Sequence, residues 1–282
     1  MVKIIADSTC DLSKELLERY DIEIIPLHIL LDDKEYEDGV DITPKEIFAW
    51  SDEHKTTPKT SAPSVDTVAS KFKPWLDRGE EIIVFAISED MSTSANVLRL
   101  VAEELEASER VHVVDSMNLS TGIGLVVIEA AVLAKEGKNA TEILEAVNRY
   151  IPKVRASFVV DTLIYLYRGG RCSGLAAMLG SAIKLHPRIV VKTGKMSSDR
   201  KYRGRIQKVA VEYAKDLEPE LLKAKKDRVF ITHTCQDGET VETVRKYLES
   251  LNYFDEILET RAGGVISSHC GPGTLGVLFI EG

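Results

Sequence analysis

Short runs rich in β-branched residues alternate with amphipathic stretches through the first half of the chain, which is how a parallel sheet covered by helices is written in sequence. Val2 to Ala6 reads as a strand, Ser13 to Tyr20 as a helix, and Ile22 to Leu31 as one strand or two. Helix starts are marked chemically: Thr43-Pro44-Lys45-Glu46 has the form of a capping box with proline at the first helical position, and Ser64 precedes the apolar-periodic run Val65 to Leu76. Glu81 to Ile87 is the strongest strand signal. A helix from Ser92 to Ala107, a strand over Arg110 to Val114 and a long helix over Leu119 to Lys135 follow it.

After the helical run Asn139 to Tyr150, Pro152 marks a boundary between two lobes, residues 1–152 and 153–282. Strands are predicted near Ser157 to Val160, Arg188 to Thr193, Arg228 to His233, Glu256 to Thr260 and Leu275 to Ile280. Thr193-Gly194, between IVVK and KMSS, is a hairpin signal, so the second sheet is at least partly antiparallel. The expectation is an α/β fold in two lobes: a Rossmann-like parallel-sheet lobe, then an α+β lobe with a mixed sheet.

Composition narrows the class. With 282 residues, 44% apolar and 29% charged, the chain is globular and long enough for two modest cores. A formal charge of −9 argues against nucleic acid as the main partner. The start MVKIIADSTCD turns acidic at once, and no apolar run approaches the roughly 18 residues of a membrane span, so a cytoplasmic location is expected. Cys10, Cys172, Cys235 and Cys270 are scattered without a C-x-x-C pair, and His54, His112 and His233 lack ligand spacing. Neither a disulfide framework nor a metal site is signalled, and no cofactor is expected.

Three clusters of small hydroxyl residues fall at predicted strand-to-helix turns, where a parallel sheet presents its ligand site: Asp7-Ser8-Thr9, Thr60-Ser61-Ala62-Pro63-Ser64, and Ser88 through Met91-Ser92-Thr93-Ser94. Helix amino termini there would offer N–H donors to an anion, although Ser64 and Ser92 can also serve as simple caps. Arg168 to Gly174, RGGRCSG, is a glycine-rich turn whose arginines suit either phosphate or the protein's own carboxylates. Between Lys184 and Lys208 stand nine Lys or Arg residues and one acidic residue, Asp199. Such a stripe fits an acidic protein partner, an anionic membrane surface or, as a third reading, nucleic acid.

The closing HCGPGTLGVLFIEG places Gly271, Gly273 and Gly276 in the G-x-G-x-x-G spacing of a dinucleotide-binding turn. Only six residues follow Gly276, leaving no room for the helix and the acidic residue that such a turn requires. These glycines therefore serve another purpose, such as bringing backbone and His269 close to a ligand. Ser92, His269 and Asp7 are the residue types of a serine hydrolase, but no G-x-S-x-G elbow accompanies them.

DSTCDL, TSAPS at Thr60 to Ser64, SEDMSTSA, YLYRGGR at Tyr165 to Arg171, KYRGR at Lys201 to Arg205 and HCGPGTLG, taken in order, resemble the DegV family, bacterial fatty-acid-binding proteins of FakB type. The resemblance runs from residue 2 to the terminus. It implies two α/β lobes, a long-chain fatty acid in a tunnel, and its carboxylate near the lobe junction. It further implies a non-catalytic carrier that presents the acid to a separate ATP-dependent kinase, which makes an acyl phosphate for phospholipid synthesis. By the same resemblance Thr60 and Ser92, with Thr93 beside it, and His269 form the carboxylate group, while Ser61, Arg168 and Arg171 support it. Two departures bear on the tail channel: Thr93 and Ala95 where the family has glycine and tyrosine, and Leu185-His186-Pro187-Arg188 where lysine-proline and aliphatics are common. The rival is a serine hydrolase acting on a lipid ester through Ser92 and His269.

Overall fold

The computed structural model describes residues 1–172, 185–234 and 238–282. Ser173 and Gly174 of the glycine-rich turn, the apolar stretch Leu175 to Ile183, Lys184 and Cys235 lie outside the described residues. The first half runs β1 (Val2–Asp7), α1 (Lys14–Tyr20), β2 (Glu23–Ile25), β3 (His28–Leu31), β4 (Lys34–Glu37), α2 (Pro44–His54), β5 (Lys59–Ser61), α3 (Val65–Leu76), β6 (Glu81–Ala86), α4 (Ser94–Glu104), β7 (Val111–Asp115), α5 (Thr121–Lys135) and α6 (Ala140–Tyr150). A 3-10 turn, Ile151–Lys153, leads to β8 (Val154–Val159), α7 (Ile164–Gly169), β9 (Leu185–Lys192), β10 (Lys195–Arg203), α8 (Ile206–Asp216), α9 (Glu218–Leu221), β11 (Arg228–His233), α10 (Gly238–Ser250), β12 (Glu256–Arg261), α11 (Gly264–Cys270) and β13 (Leu275–Ile280).

The fold class follows the sequence expectation. A four-stranded parallel sheet has the order β2-β1-β6-β7, and a six-stranded mixed sheet the order β10-β9-β8-β13-β11-β12, in which only β11 and β12 pair in parallel. The hairpin at Thr193-Gly194 is present, with Lys192 opposite Lys195. Thr43 caps α2 as the sequence indicates: its N–H donates to Glu46 Oε2 (2.8 Å) and its Oγ1 accepts from Glu46 N (3.4 Å).

Helix α5 is the hinge pin of the layering. Every residue from Thr121 to Ala131 is buried: the stretch is apolar apart from Thr121 and Glu129, and Glu129 is paired with Lys225 (2.7 Å) and Arg228. One side packs on Ile83 and Phe85 of the parallel sheet, the other on Phe158 and Leu278 of the mixed sheet, in one continuous core. Helices α3 and α4 cover the outer face of the first sheet through Phe72 and Leu98. Helices α8 and α10 cover the outer face of the second through Tyr213, Val244 and Leu248. Among the described residues no helix is long and apolar enough to cross a membrane.

The structure departs from the sequence expectation at several elements. Thr60 and Ser61 do not sit in a turn of the parallel sheet: they lie within β5, the edge of a separate antiparallel sheet, β4-β3-β5. β4 and β5 are short and polar, KEYE and KTS, so periodicity does not reveal them. Helix α4 begins at Ser94, not Ser92, since Ser92 and Thr93 form the turn ahead of it. Finally, α7, α8, α9, α10 and α11 lie among strands expected without them, although the buried Val241, Val244 and Leu248 of α10 carry a helical spacing.

Candidate functional site

Two strand ends of the parallel sheet begin the site. Asp7, at the end of β1, is fully buried; its Oδ2 accepts from Ile87 N (2.8 Å) and its Oδ1 from the N–H (3.1 Å) and hydroxyl of Thr9. Burial pushes its carboxyl up to about 6, opposed by the Thr9 and Ile87 bonds. Asp7 thus fixes where the chain leaves β6 and enters the serine turn. Within that turn Ser92 N donates to Ser88 O (3.1 Å), and Ser92 Oγ accepts from Ser94 N (3.2 Å) and lies 2.9 Å from Ser94 Oγ. Ser92 therefore caps α4 and is still half-buried at the cavity wall. Thr93 beside it is exposed and makes no side-chain cap.

The opposite wall is built on α11. Gly263 N donates to Asp11 Oδ1 (2.8 Å) and Gly264 N to Asp38 Oδ1 (2.6 Å), while Ser120 and Ser8 hydroxyls donate to the second oxygens of Asp11 (2.5 Å) and Asp38 (2.8 Å). Burial raises both carboxyls, and these donors oppose the rise. Glycine is required at 264, where a Cβ would lie 2.6 Å from Ile29 Cδ1 and 3.0 Å from Asp38 Oδ1. The clamp sets the helix whose last turn carries His269.

His269 Nε2 lies 2.8 Å from Thr60 Oγ1. Its Nδ1 is buried without a hydrogen-bond partner among the described residues and faces Gly169, where a Cβ would come within 2.4 Å. Burial, with Arg171 adding to it, pushes the imidazole down to about 4, so the ring is neutral near pH 7. With the proton on Nε2, the ring donates to Thr60 Oγ1 and leaves the threonine's own O–H directed elsewhere. Arg171 ties the two walls: Nε donates to Met91 O (3.3 Å) and a terminal nitrogen to Gly169 O (2.7 Å).

Thr60, Ser61, Ser92, Thr93, Arg171 and His269 all line one cavity of about 370 Å³. The rest of its wall joins apolar residues, among them Leu27, Ile87, Leu119, Met196, Val265 and Ile266, to two acidic ones, Glu89 and Asp90. Arg168 is exposed on α7 and is not part of this lining. Sequence reasoning named the polar residues and missed the apolar ones, which read only as core, together with Asp38, whose acidic neighbours conceal it. The terminal glycines have their explanation here: Gly271 packs on Tyr165, and Gly276 sits against Ser157 O.

Other places offer less. A depression of about 500 Å³ holds Arg155 and Arg188, but Arg188 is paired twice with Asp199 (2.8 and 2.6 Å) and Arg155 with Glu281. In the basic stripe Lys195 pairs with Asp90 (3.4 Å) and Arg200 with Asp216 (3.0 Å), while Lys201 and Arg203 on the edge strand β10 have no carboxylate partner among the described residues. Among the described residues a serine-hydrolase triad is not assembled: His269 bonds Thr60, no described carboxylate orients its Nδ1, and Asp7 is committed to Thr9 and Ile87. Among the described residues no group of three His, Cys, Asp or Glu side chains is placed to hold a metal ion.

Comparison with known proteins places this geometry. A family model described as "Uncharacterised protein, DegV family" matches residues 1–282. A DegV domain-containing protein of Deinococcus radiodurans is 30% identical over 276 residues, covering 98% of this chain and 97% of that one. Among solved structures, a fatty-acid-binding DegV family protein from Thermus thermophilus superposes with a TM-score of 0.90 at 31% identity, covering 99% of each chain. A stearic-acid-binding protein from Eubacterium ventriosum gives 0.85 at 29%, covering 100% of this chain and 98% of that one.

Proposed function

Because the chain belongs to the DegV family, we propose that it is a carrier of FakB type that buries a long-chain fatty acid and holds the carboxylate at Thr60, Ser92 and His269. The observation that carries this reading is that three neutral hydrogen-bonding side chains, Thr60, Ser92 and His269, line one cavity whose surface is more apolar than polar. Each methylene taken from water contributes about 0.8 kcal/mol, so a chain of about 16 carbons gains ~11 kcal/mol before association costs of several kcal/mol. The carboxylate would forfeit much of that gain unless hydrogen-bonded. An anion beside Thr60 selects the tautomer in which His269 Nε2–H donates to the threonine oxygen and the threonine O–H donates onward. Ser92 supplies a second hydroxyl from the amino end of α4. A grip made of neutral donors leaves a carboxylate oxygen nucleophilic, as a phosphoryl acceptor must be.

In this reading the protein is not itself an enzyme. Residues 1–152 carry the head-group turns and 153–282 complete the tunnel; a separate ATP-dependent kinase phosphorylates the bound acid for phospholipid synthesis in the cytoplasm. Lys201 and Arg203 on the β10 edge are the contact for the kinase or, transiently, for an anionic membrane surface. Thr93, Ser61 and Arg171 shape the mouth, and Arg168, outside the lining, acts on whatever docks there.

The test is mass spectrometry of acid extracted from gently purified protein, followed by titration with that acid. A long-chain acid is expected, with Ser92→Ala and Thr60→Val each binding it about tenfold or more weakly. Lys201→Glu with Arg203→Glu should leave that affinity intact and lower phosphorylation. Ester turnover abolished by Ser92→Ala would instead establish the hydrolase.

A further inference from the structure

The serine turn follows β6 of the parallel sheet, and the tip of the β9–β10 hairpin belongs to the mixed sheet; the two meet at the wall of the cavity that Thr60, Ser92 and His269 line. Asp90, Met91 and Ser92 line that cavity from one side of the meeting, and Met196 from the other. At the tip the contact is made by few groups. Ser88, with no exposed surface, donates its hydroxyl to Gly194 O (2.8 Å) and accepts from Asp90 N (3.3 Å). Asp90 Oδ1 lies 3.4 Å from Lys195 Nζ, and both of these side chains are exposed. Gly194 permits the approach: its φ is +81°, and a Cβ there would stand 2.7 Å from Ser88 Oγ.

Ser88 also sets the turn itself. Met91 N (2.9 Å) and Ser92 N (3.1 Å) both donate to Ser88 O, so one residue couples the hairpin tip to the serine that faces the cavity. On either side the chain is anchored. Asp7 holds Ile87 N (2.8 Å) just before the turn, and Met196 pairs with Val191 across the hairpin and bridges to Cys172. Between those anchors the seam is closed by the Ser88 hydroxyl, the Asp90–Lys195 pair and the bond from Arg171 to Met91 O (3.3 Å). A single hydrogen bond and an exposed ion pair hold little beside the packed core under the rest of the wall. The wall therefore parts first along this seam.

Resting on the carrier reading, we propose that the seam between the serine turn and the hairpin tip is the door of the cavity, through which the acid enters and leaves, with Ser88 and the Asp90–Lys195 pair as its latch. Ser88 and Lys195 are positioning residues, since neither lines the cavity. A latch has a kinetic signature that a ligand contact lacks. It holds the door shut whether the cavity is empty or filled, so weakening it raises entry and exit by one factor and leaves the dissociation constant where it was. Loss of a contact raises exit and weakens binding with it.

The experiment is stopped-flow association and displacement of a fluorescent long-chain acid on the native protein, Ser88→Ala and Lys195→Met. Ser88→Ala is expected to speed both steps about fivefold and Lys195→Met about twofold, with affinity unchanged in each. The difference between the native protein and Lys195→Met should vanish at high salt, where the ion pair is screened. Melting curves establish that the variants are folded, and Lys195, whose side chain is 72% exposed, serves if Ser88→Ala is not. Unchanged rates overturn the proposal and make the seam a fixed wall; faster release with affinity lowered by the same factor overturns it too, making the seam part of the grip. Hydrogen exchange of the empty protein needs no ligand: the Met91 and Ser92 amides should exchange about fivefold faster in Ser88→Ala, and unaltered exchange overturns the latch. Exchange that rises as expected in a protein that binds no acid overturns the carrier reading alone.

Discussion

Thr60 and Ser92 face one cavity from walls of different construction. Behind Thr60 stands His269, and behind His269 a helix whose first N–H groups end on the buried carboxylates of Asp11 and Asp38. Behind Ser92 stands a turn held near the surface: Ser88 Oγ donates to Gly194 O at the hairpin tip (2.8 Å), and Arg171 reaches Met91 O. The first wall is set by backbone N–H bonds to two buried carboxyl groups in the interior, which do not loosen without large cost. The second depends on single bonds to backbone carbonyls, one from the buried Ser88 hydroxyl and one from the Arg171 guanidinium, so its shape answers to whatever touches the hairpin or the turn. A carrier of the kind proposed, which would hold its acid firmly and also hand it over, has use for both.

The largest expected effect tests the interior wall. Asp38→Ala strands Gly264 N–H and the Ser8 hydroxyl, and should cost about 3 kcal/mol of stability in urea titrations. A loss below about 1 kcal/mol would erase the contrast between the walls. Next comes pH. The imidazole of His269 sits near 4 when folded against an ordinary 6.5, so the unfolded chain takes up the proton first as pH drops. Its contribution is present above pH 6.5 and is lost as pH falls toward 4. Asp7, raised to about 6, works in the opposite sense, gaining stability as pH falls below 6. Comparing denaturation of the native protein and His269→Gln across that range should show the native protein losing ground to the variant; parallel curves would mean that the ring is not desolvated. The smallest effect belongs to the outer wall: Ser88→Ala removes one bond to the hairpin tip and should cost about 1 kcal/mol, read from the same titrations.

The two walls were also unequally legible in sequence. The serine turn follows a strongly apolar strand, and its hydroxyls sit where a parallel sheet exposes ligands, so position and chemistry agree at Ser92. Thr60 was chemically recognisable, but its strand was not, because three polar residues at a sheet edge carry no periodic signal. Asp38 was hidden for a different reason: its role depends on meeting Gly264, 226 residues away, and no local pattern encodes such a contact. The apolar lining was visible only as hydrophobicity, since a residue facing a cavity and one facing another side chain satisfy the same burial rule.

Helix α5, dry on every side, joins the two sheets as a common floor. Prying the halves apart would wet whichever of Ile123, Leu125, Val126, Val127 and Ile128 face the departing sheet, at about 1.5–3 kcal/mol apiece. A clamshell opening is thereby made costly. A carrier of the kind proposed would load and release its acid through small displacements at the rim, with the foundation at rest.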